Sequence, residues 1–392
     1  MTPLLSLLLP GFLLLGLASP AITDGSVEKL TNGNTDFAVK LYQAVASRTD
    51  DNVCLSTFAL STALSALLSA TSGPTQEQLL QGLGLTGLDA QMLPELFQNL
   101  RTAIQPGNIT NLKQAVALLP SHNFEVSASL RELVQTKFGG YMPSLRYTDQ
   151  AEAITTINRW AQDQTGDQIQ QVVTAVDAQT ELLLATVSYY KTQFSPLFNA
   201  SLTQDERFYV NKYVVVMVPM MFRADKYFLA YDRSLKVGVL KLPMGDSMAM
   251  LVVLPDEDVD IIDVEEKVTG EKIRAWIRQL KKTKLEVQLP RFMLEKSYAL
   301  RDVLQTLNMN KMFQDDADII EMGSKGPKLT QVYQKSAVFV GDSRDEVATA
   351  GGASTFSYPP PRLTINRPFL FIIYHQTIGS VLFMGRVTNP IA

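Results

Sequence analysis

The stretch Asn366–Pro390 reads NRPFLFIIYHQTIGSVLFMGRVTNP. Two apolar runs, Phe369 to Tyr374 and Val381 to Val387, flank the turn-forming His375 to Ser380, the pattern of a terminal β-hairpin. Upstream, Tyr213 to Met221, Val237 to Leu242, Met248 to Leu254 and Leu285 to Leu289 are short apolar runs bounded by turn residues, and they predict strands. Leu182 to Tyr190 is dense enough in apolar residues for a central strand or another buried element.

The first half carries a different period. Phe37, Leu41, Tyr42 and Val45 recur at helical spacing. Thr57 to Ala70 predicts a buried helix ended by Thr71-Ser72-Gly73-Pro74, and Thr75 with Gln78 offers a capping box for the next one. Met92 to Ala103 predicts an amphipathic helix with Pro94 in its first turn, closed by Pro106-Gly107. Ile154 to Val173 predicts another, around Ile157, Trp160 and Ile169. Helices early and strands late, with no regular alternation, predict an α+β fold. No internal repeat or interdomain linker stands out.

One segment breaks the pattern. Gly341 to Arg362, GDSRDEVATAGGASTFSYPPPR, is small, polar and proline-rich, yet it separates two stretches of core character. A loop this long asks for a function.

Composition excludes several functions. With 35 Lys+Arg against 39 Asp+Glu in 392 residues, the net charge of -4 gives no general attraction to nucleic acid or acidic lipid. Residues 1–21, MTPLLSLLLPGFLLLGLASPA, predict a cleaved secretory signal, and no later run is long enough to span a membrane. The one cysteine, Cys54, forbids an internal disulfide and reads as a buried thiol. Two histidines and no cysteine cluster predict no zinc site, and no cofactor is expected. GxSxG, HExxH, P-loop and dinucleotide-binding fingerprints are absent, so no enzyme is indicated. His122 and His375 read as solvated turn residues rather than bases. The acidic run from Pro255 reads as a solvated connection and helix start, and Arg278, Lys281, Lys282 and Lys284 as a charged face beside a strand. Asn108 and Asn199 open glycosylation sequons.

Several motifs then resemble the serpin family across the mature chain, from about residue 22 to residue 392. Asn366–Pro390 resembles the family signature, and Val218-Pro219-Met220-Met221 its VPMM strand. Leu289-Pro290-Arg291-Phe292 with Tyr298-Ala299-Leu300 and Leu304 resembles its LPKF…Y.L…L pattern. Phe313 with Ala317-Asp318 and the stretch Leu184 to Phe194 match two further elements. The chain is most similar to the extracellular, antitrypsin-like group.

The resemblance implies an α+β serpin fold of about nine helices and three β-sheets, forming one domain with an exposed reactive-centre loop near residues 342–362. An inhibitory serpin offers that loop to a serine protease as bait. After acylation the loop inserts as a new central strand, releasing stored strain from a kinetically held state. Only small or apolar side chains enter such a sheet cheaply.

The family hinge reads E-x-G-T-E followed by small residues. A gap-free alignment puts Asp342 on the first glutamate, Arg344 on the glycine, Asp345 on the threonine and Glu346 on the second glutamate. Val347, Ala348 and the residues to Gly352 continue as small or moderately small ones. Arg344 removes backbone freedom, and Asp345 puts a charge at the first position that turns into the sheet. The same count places the bait bond at Tyr358-Pro359, with Ser357-Tyr358 or Phe356-Ser357 as alternatives. Where the sheet opens, Asn52 and Ser56 are retained, while Thr57, Thr186, Thr192, Phe194 and Gln334 depart from the family pattern.

Two functions follow as expectations. One is a secreted, monomeric serpin of weak or no inhibitory power that acts by binding a ligand or protein. The other is a working suicide-substrate inhibitor of an extracellular serine protease of chymotrypsin-like fold, with Tyr358 as bait.

Overall fold

A computed structural model describes residues 25–105, 111–245, 247–342 and 358–392. The proposed signal, residues 1–21, lies outside them, as do Asn108 and the hinge residues Arg344, Asp345, Glu346, Val347 and Ala348. The described part of the first half holds α1 (Gly25–Ala46), β1 (Val53–Leu55), α2 (Thr57–Leu68), α3 (Gly73–Gly82), α4 (Leu93–Ile104), β2 (Leu112–Pro120), α5 (Ala128–Phe138), α6 (Gln150–Thr165) and β3 (Leu182–Lys191). The second half runs β4 (Gln204–Tyr209), β5 (Val215–Asp232), β6 (Val237–Pro243), β7 (Met248–Pro255), α7 (Ile261–Lys267), α8 (Gly270–Gln279), β8 (Lys281–Pro290) and β9 (Phe292–Ala299). It closes with α9 (Arg301–Thr306), β10 (Leu329–Val340), β11 (Arg362–Thr364), β12 (Phe369–His375) and β13 (Val381–Val387). Nine α-helices thus stand among the described residues, as the resemblance implies.

The strands form two hydrogen-bonded sheets among the described residues, not three. One has four strands in the order β2-β3-β10-β9; the other has nine, β1-β13-β12-β7-β6-β5-β8-β11, with β4 on β5. The cause is the length of β5. Its first residues pair with β4, Met220 to Leu229 pair with β8, and Phe228 to Asp232 pair with β6, so one ladder runs through what would otherwise be two sheets.

The predicted hairpin forms, with β12 paired to both β13 and β7. Every residue of both hairpin strands is buried, because β1 covers the other edge of β13 and the helices α1 and α2 lie against it. Gly385 permits the close fit: a Cβ there would sit 2.2 Å from the Val53 carbonyl oxygen. All twelve residues of α2 are buried, which is why that segment shows so weak an amphipathic period. A second core cluster joins Trp160 and Ile157 of α6 to Ala117 of β2 and Ala185 of β3.

Three local expectations are corrected. Helix α3 starts two residues before Thr75, with Pro74 in its first turn; Thr75 Oγ1 instead accepts from the Asp318 amide at 2.9 Å, and Gln78 Oε1 from the amides of Asn310 and Lys311. Helix α6 begins earlier, at an Asp149 cap, and stops at Gly166, whose φ of 59° is left-handed; Ile169 and Val173 are buried in irregular chain beyond it. His375 is buried at the end of β12, because the strand is enclosed along its whole length up to the exposed turn, and burial pushes its pKa down; His122 is exposed. Asp260 caps α7, and Lys281, Lys282 and Lys284 line the exposed start of β8, both as read from the sequence.

Candidate functional site

The four-stranded sheet has a seam at its centre. Strand β10 runs parallel to β3, in register from Leu182↔Leu329 to Lys191↔Phe339, with one irregularity between Leu329 and Gln331. On its other side β10 pairs antiparallel with β9. A chain leaving β10 at Val340 and turning back into this seam would be antiparallel to both neighbours, and it could enter only by replacing the β3–β10 ladder with two new ones.

Beneath the seam lies a polar clasp. Register places Val116, Thr186, Gln334 and Tyr298 in one cross-strand row, and Gln114, Ser188, Ser336 and Lys296 in the next. Gln334 Nε2 donates to the Ser56 carbonyl (2.9 Å) and Thr186 Oγ1 (3.1 Å), and its Oε1 accepts from the Ser56 amide (3.0 Å). Ser56 Oγ accepts from Gln114 Nε2 at 3.0 Å and Ser188 Oγ lies 2.7 Å away, so this residue knits to the sheet instead of capping α2. Ser336 Oγ donates to the Cys54 carbonyl (2.7 Å), and the Cys54 amide donates to Tyr298 Oη (3.1 Å). Ser56, Thr186, Ser188, Gln334 and Ser336 are all buried, so parting the strands would leave several groups without partners in a dry site. Burial also pushes the Cys54 thiol up to about 12, which keeps it protonated and inert.

Of the residues expected where the sheet opens, the fold brings Ser56, Thr186 and Gln334 together and places Phe194 elsewhere. Phe194 lies beyond the end of β3, bridged to Met244 and edge-on to Phe198 with centroids 5.3 Å apart. Beside it the Thr192 amide donates to the Phe339 carbonyl at 2.9 Å, closing the seam at its upper end.

The long loop is tied at both ends. On the amino side the Asp342 carboxylate is buried, accepting from Thr203 Oγ1 at 2.6 Å and facing Arg291 at 3.4 Å. On the carboxyl side β11 pairs parallel with β8, the Glu286 amide donates to the Pro361 carbonyl at 3.0 Å, and Arg362 bridges to Glu286 at 2.8 Å. Tyr358 is 85% exposed, and Pro359 beside it is exposed too. Asn199 is also exposed; its Oδ1 accepts from the Ser201 amide and hydroxyl, leaving Nδ2 outside those two bonds.

Sequence reading missed Gln114, Ser188, Ser336, Tyr298, Thr203 and Arg291. A signal for part of the set was present: Thr186 and Ser188, and again Gln334 and Ser336, stand two apart on strands otherwise rich in apolar residues. Among the described residues no cluster of His, Cys, Asp or Glu could hold a metal ion, and no helix is long and apolar enough to cross a membrane.

A family model described as serpin (serine protease inhibitor) matches residues 32–390. The chain is 29% identical to human protein Z-dependent protease inhibitor over 372 residues, covering 93% of this chain and 84% of that one. It is 31% identical to human leukocyte elastase inhibitor over 381 residues, covering 93% of this chain and all (100%) of that one. The solved structure of mouse protein Z-dependent protease inhibitor superposes with a TM-score of 0.86 at 27% identity, covering 94% of this chain and 100% of that chain. Human thyroxine-binding globulin, solved in complex with thyroxine, does so with 0.87 at 25% identity and the same coverage.

Proposed function

The chain belongs to the serpin family, and from that premise we propose that it is a secreted, extracellular, monomeric binding serpin whose loop inserts too slowly to trap a protease efficiently. Serpins are typically non-enzymatic protease inhibitors, so the reading concerns what the loop and sheet do. The mature protein in this reading is residues 22–392, freed of its signal and glycosylated at Asn108 and Asn199.

The observation that carries the reading is the clasped seam, weighed against the residues that would have to open it. Insertion must break the β3–β10 ladder and the bonds of Gln334 and Ser56, and release the buried Asp342 carboxylate at the point of entry. The first residues available to offset that loss are Arg344 and Asp345, where the family has glycine and threonine. A charge taken into a packed sheet unpaired costs several kcal/mol, and each ~1.4 kcal/mol added to the barrier slows insertion about tenfold. Deacylation then wins, and an attacking protease leaves with a cut loop. Thyroxine-binding globulin, by its name and its complex, pairs this fold with ligand binding, which accords with a binding role here.

A second reading keeps suicide inhibition, with Tyr358 or a neighbour as bait against an extracellular serine protease of chymotrypsin-like fold. The small residues from Ala348 to Ala353 and the likeness to proteins named as protease inhibitors favour it.

One experiment divides the two. The purified protein is incubated with a panel of serine proteases, run on denaturing gels, and its unfolding temperature taken before and after loop cleavage. The binding reading expects substrate-like cleavage, no covalent band and little change in unfolding temperature. A denaturant-stable complex, or a cleaved form of much higher stability, overturns it.

A further inference from the structure

A cleft of about 1220 Å³ opens where the chain enters β12 and leaves β13, at the opposite end of that hairpin from its turn. Its walls come from residues 50–52 after α1, the β4–β5 turn at 209–212, the approach to α7 between 255 and 262, and the chain at 366–368 and 386–392. None of these residues belongs to the long loop or to the hydrogen bonds of the seam. A side pocket of about 310 Å³ shares Asp51, Asn52 and Lys296 with the cleft, so Lys296 stands at the junction. The side pocket is walled by the buried Val45, Leu300 and Val303 and by the less buried Tyr298 and Ala299. Its volume falls at the lower end of ligand-sized sites, about 300 Å³.

The charge at this junction is unanswered. Lys296 is half-buried, and among the described residues its ammonium has no hydrogen-bond partner and no carboxylate oxygen within 4.0 Å. Arg367, half-buried in the cleft, gives Nε to the Pro255 carbonyl (2.9 Å) and Nη1 to Asn366 Oδ1 (3.3 Å), and it too has no described carboxylate within 4.0 Å. Loss of solvent lowers its pKa, yet a guanidinium stays charged at neutral pH. Arg48, on the side pocket, donates to the Asp302 carbonyl at 3.3 Å. A cation drawn part way out of water without a counter-ion is a cost that an incoming anion relieves. The acids that line the cleft, Asp50, Asp51, Glu257 and Asp260, are all exposed, as is the terminal Ala392, so water and salt screen them. Arg386 at the floor is already answered by Glu265.

We infer that this junction binds a small amphipathic anion, one or two rings bearing a single carboxylate or sulfonate, with the rings in the side pocket and the acid group on Lys296. The inference deepens the binding reading above and rests on it only for the premise that the fold carries a ligand. Apolar walls supply affinity, and the lone ammonium fixes which end of the ligand faces the cleft. The acidic rim sets the charge limit: a ligand with many negative groups would bring some of them against Asp50, Asp51, Glu257 or Asp260.

The test titrates the full protein with anilinonaphthalene sulfonate, an aromatic monoanion whose fluorescence rises in apolar surroundings. The expected result is a single site, weakened by added salt and not displaced by heparin. Lys296→Gln weakens it roughly tenfold, the value of one hydrogen bond to a charged group, and Lys296→Arg restores it. Ala299→Trp crowds the side pocket from its exposed edge and removes binding. Unchanged urea midpoints confirm that the variants fold, and the Lys296 pair carries the test if the tryptophan is not tolerated. Binding that is unmoved in Lys296→Gln, or that heparin displaces, overturns the inference. Absence of any fluorescence change overturns it while leaving the binding reading standing. A covalent protease complex formed by protein that still binds the dye through Lys296 sinks the binding reading and upholds this site.

Discussion

Replacing Gln334 by methionine keeps most of the side-chain volume and removes its polar end. Three hydrogen bonds go, two to the Ser56 backbone and one to Thr186 Oγ1. The Ser56 carbonyl keeps the Leu60 amide at 3.3 Å, so its loss is small. The Ser56 amide is left buried and unpaired, which costs about 1–3 kcal/mol, and the lost Thr186 bond adds about 1 kcal/mol. A total of about 2–4 kcal/mol should appear as a lower urea midpoint. It should also appear locally, because the Gln334 side chain ties β10 at once to β3 and to the start of α2. If seam opening carries amide exchange, the amides of Thr186–Ser188 and Gln334–Ser336 should exchange roughly thirty- to thousandfold faster, at about tenfold per 1.4 kcal/mol. Gln114→Met is the control: it removes a single bond to Ser56 Oγ, which keeps Ser188, so its cost should stay near 1 kcal/mol. Exchange at those six amides within threefold of the parent, with an unchanged midpoint, would refute the claim that this clasp holds the seam.

Two further tests address other buried polar groups. Glu265 receives two bonds from Arg386 Nη1 (2.9 and 3.0 Å) and one from Tyr42 Oη, all buried; Glu265→Gln leaves a buried guanidinium uncompensated and should cost about 3–5 kcal/mol of stability, with a smaller loss in Glu265→Gln/Arg386→Met. An unchanged urea midpoint in the single variant would show that the pair contributes nothing. His375 is held neutral by burial, with its folded pKa below the ordinary value of about 6.5. Its contribution is therefore complete above the unfolded value and declines as pH falls through the window below it, by at most about 1.4 kcal/mol per pH unit. Urea midpoints at pH 7 and pH 5 should fall further in the parent than in His375→Gln; equal falls would place the acid sensitivity elsewhere.

The elements legible in the sequence were those whose signal is local. The runs Phe369–Tyr374 and Val381–Val387 pair as expected because a hairpin joins strands that are neighbours in the chain. Segment 57–70 read as a buried helix because its small and apolar residues leave no polar face. The capping box at Thr75 and the helical reading to Val173 failed for the opposite reason. Asp318 lies far along the chain from Thr75, whose hydroxyl it claims, and Ile169 is apolar because irregular chain packs it under the sheet. His375 looked like a turn residue until the enclosed hairpin buried it.

The amino-acid sequence alone determined the family, through motifs spread from Leu184 to Pro390, and it exposed the anomaly of Arg344, Asp345 and Pro359, since charge and ring constraint are properties of single residues. Only the tertiary structure decided which polar residues guard the seam. Gln114, Ser188 and Gln334 come from three separate strands and Ser56 from the junction of β1 and α2, and nothing in a strand's two-residue period says which other strand will lie beside it. The partner of Asp342 was likewise set by where β4 and β9 begin, because a buried carboxylate takes whatever donors the surrounding chain brings within reach.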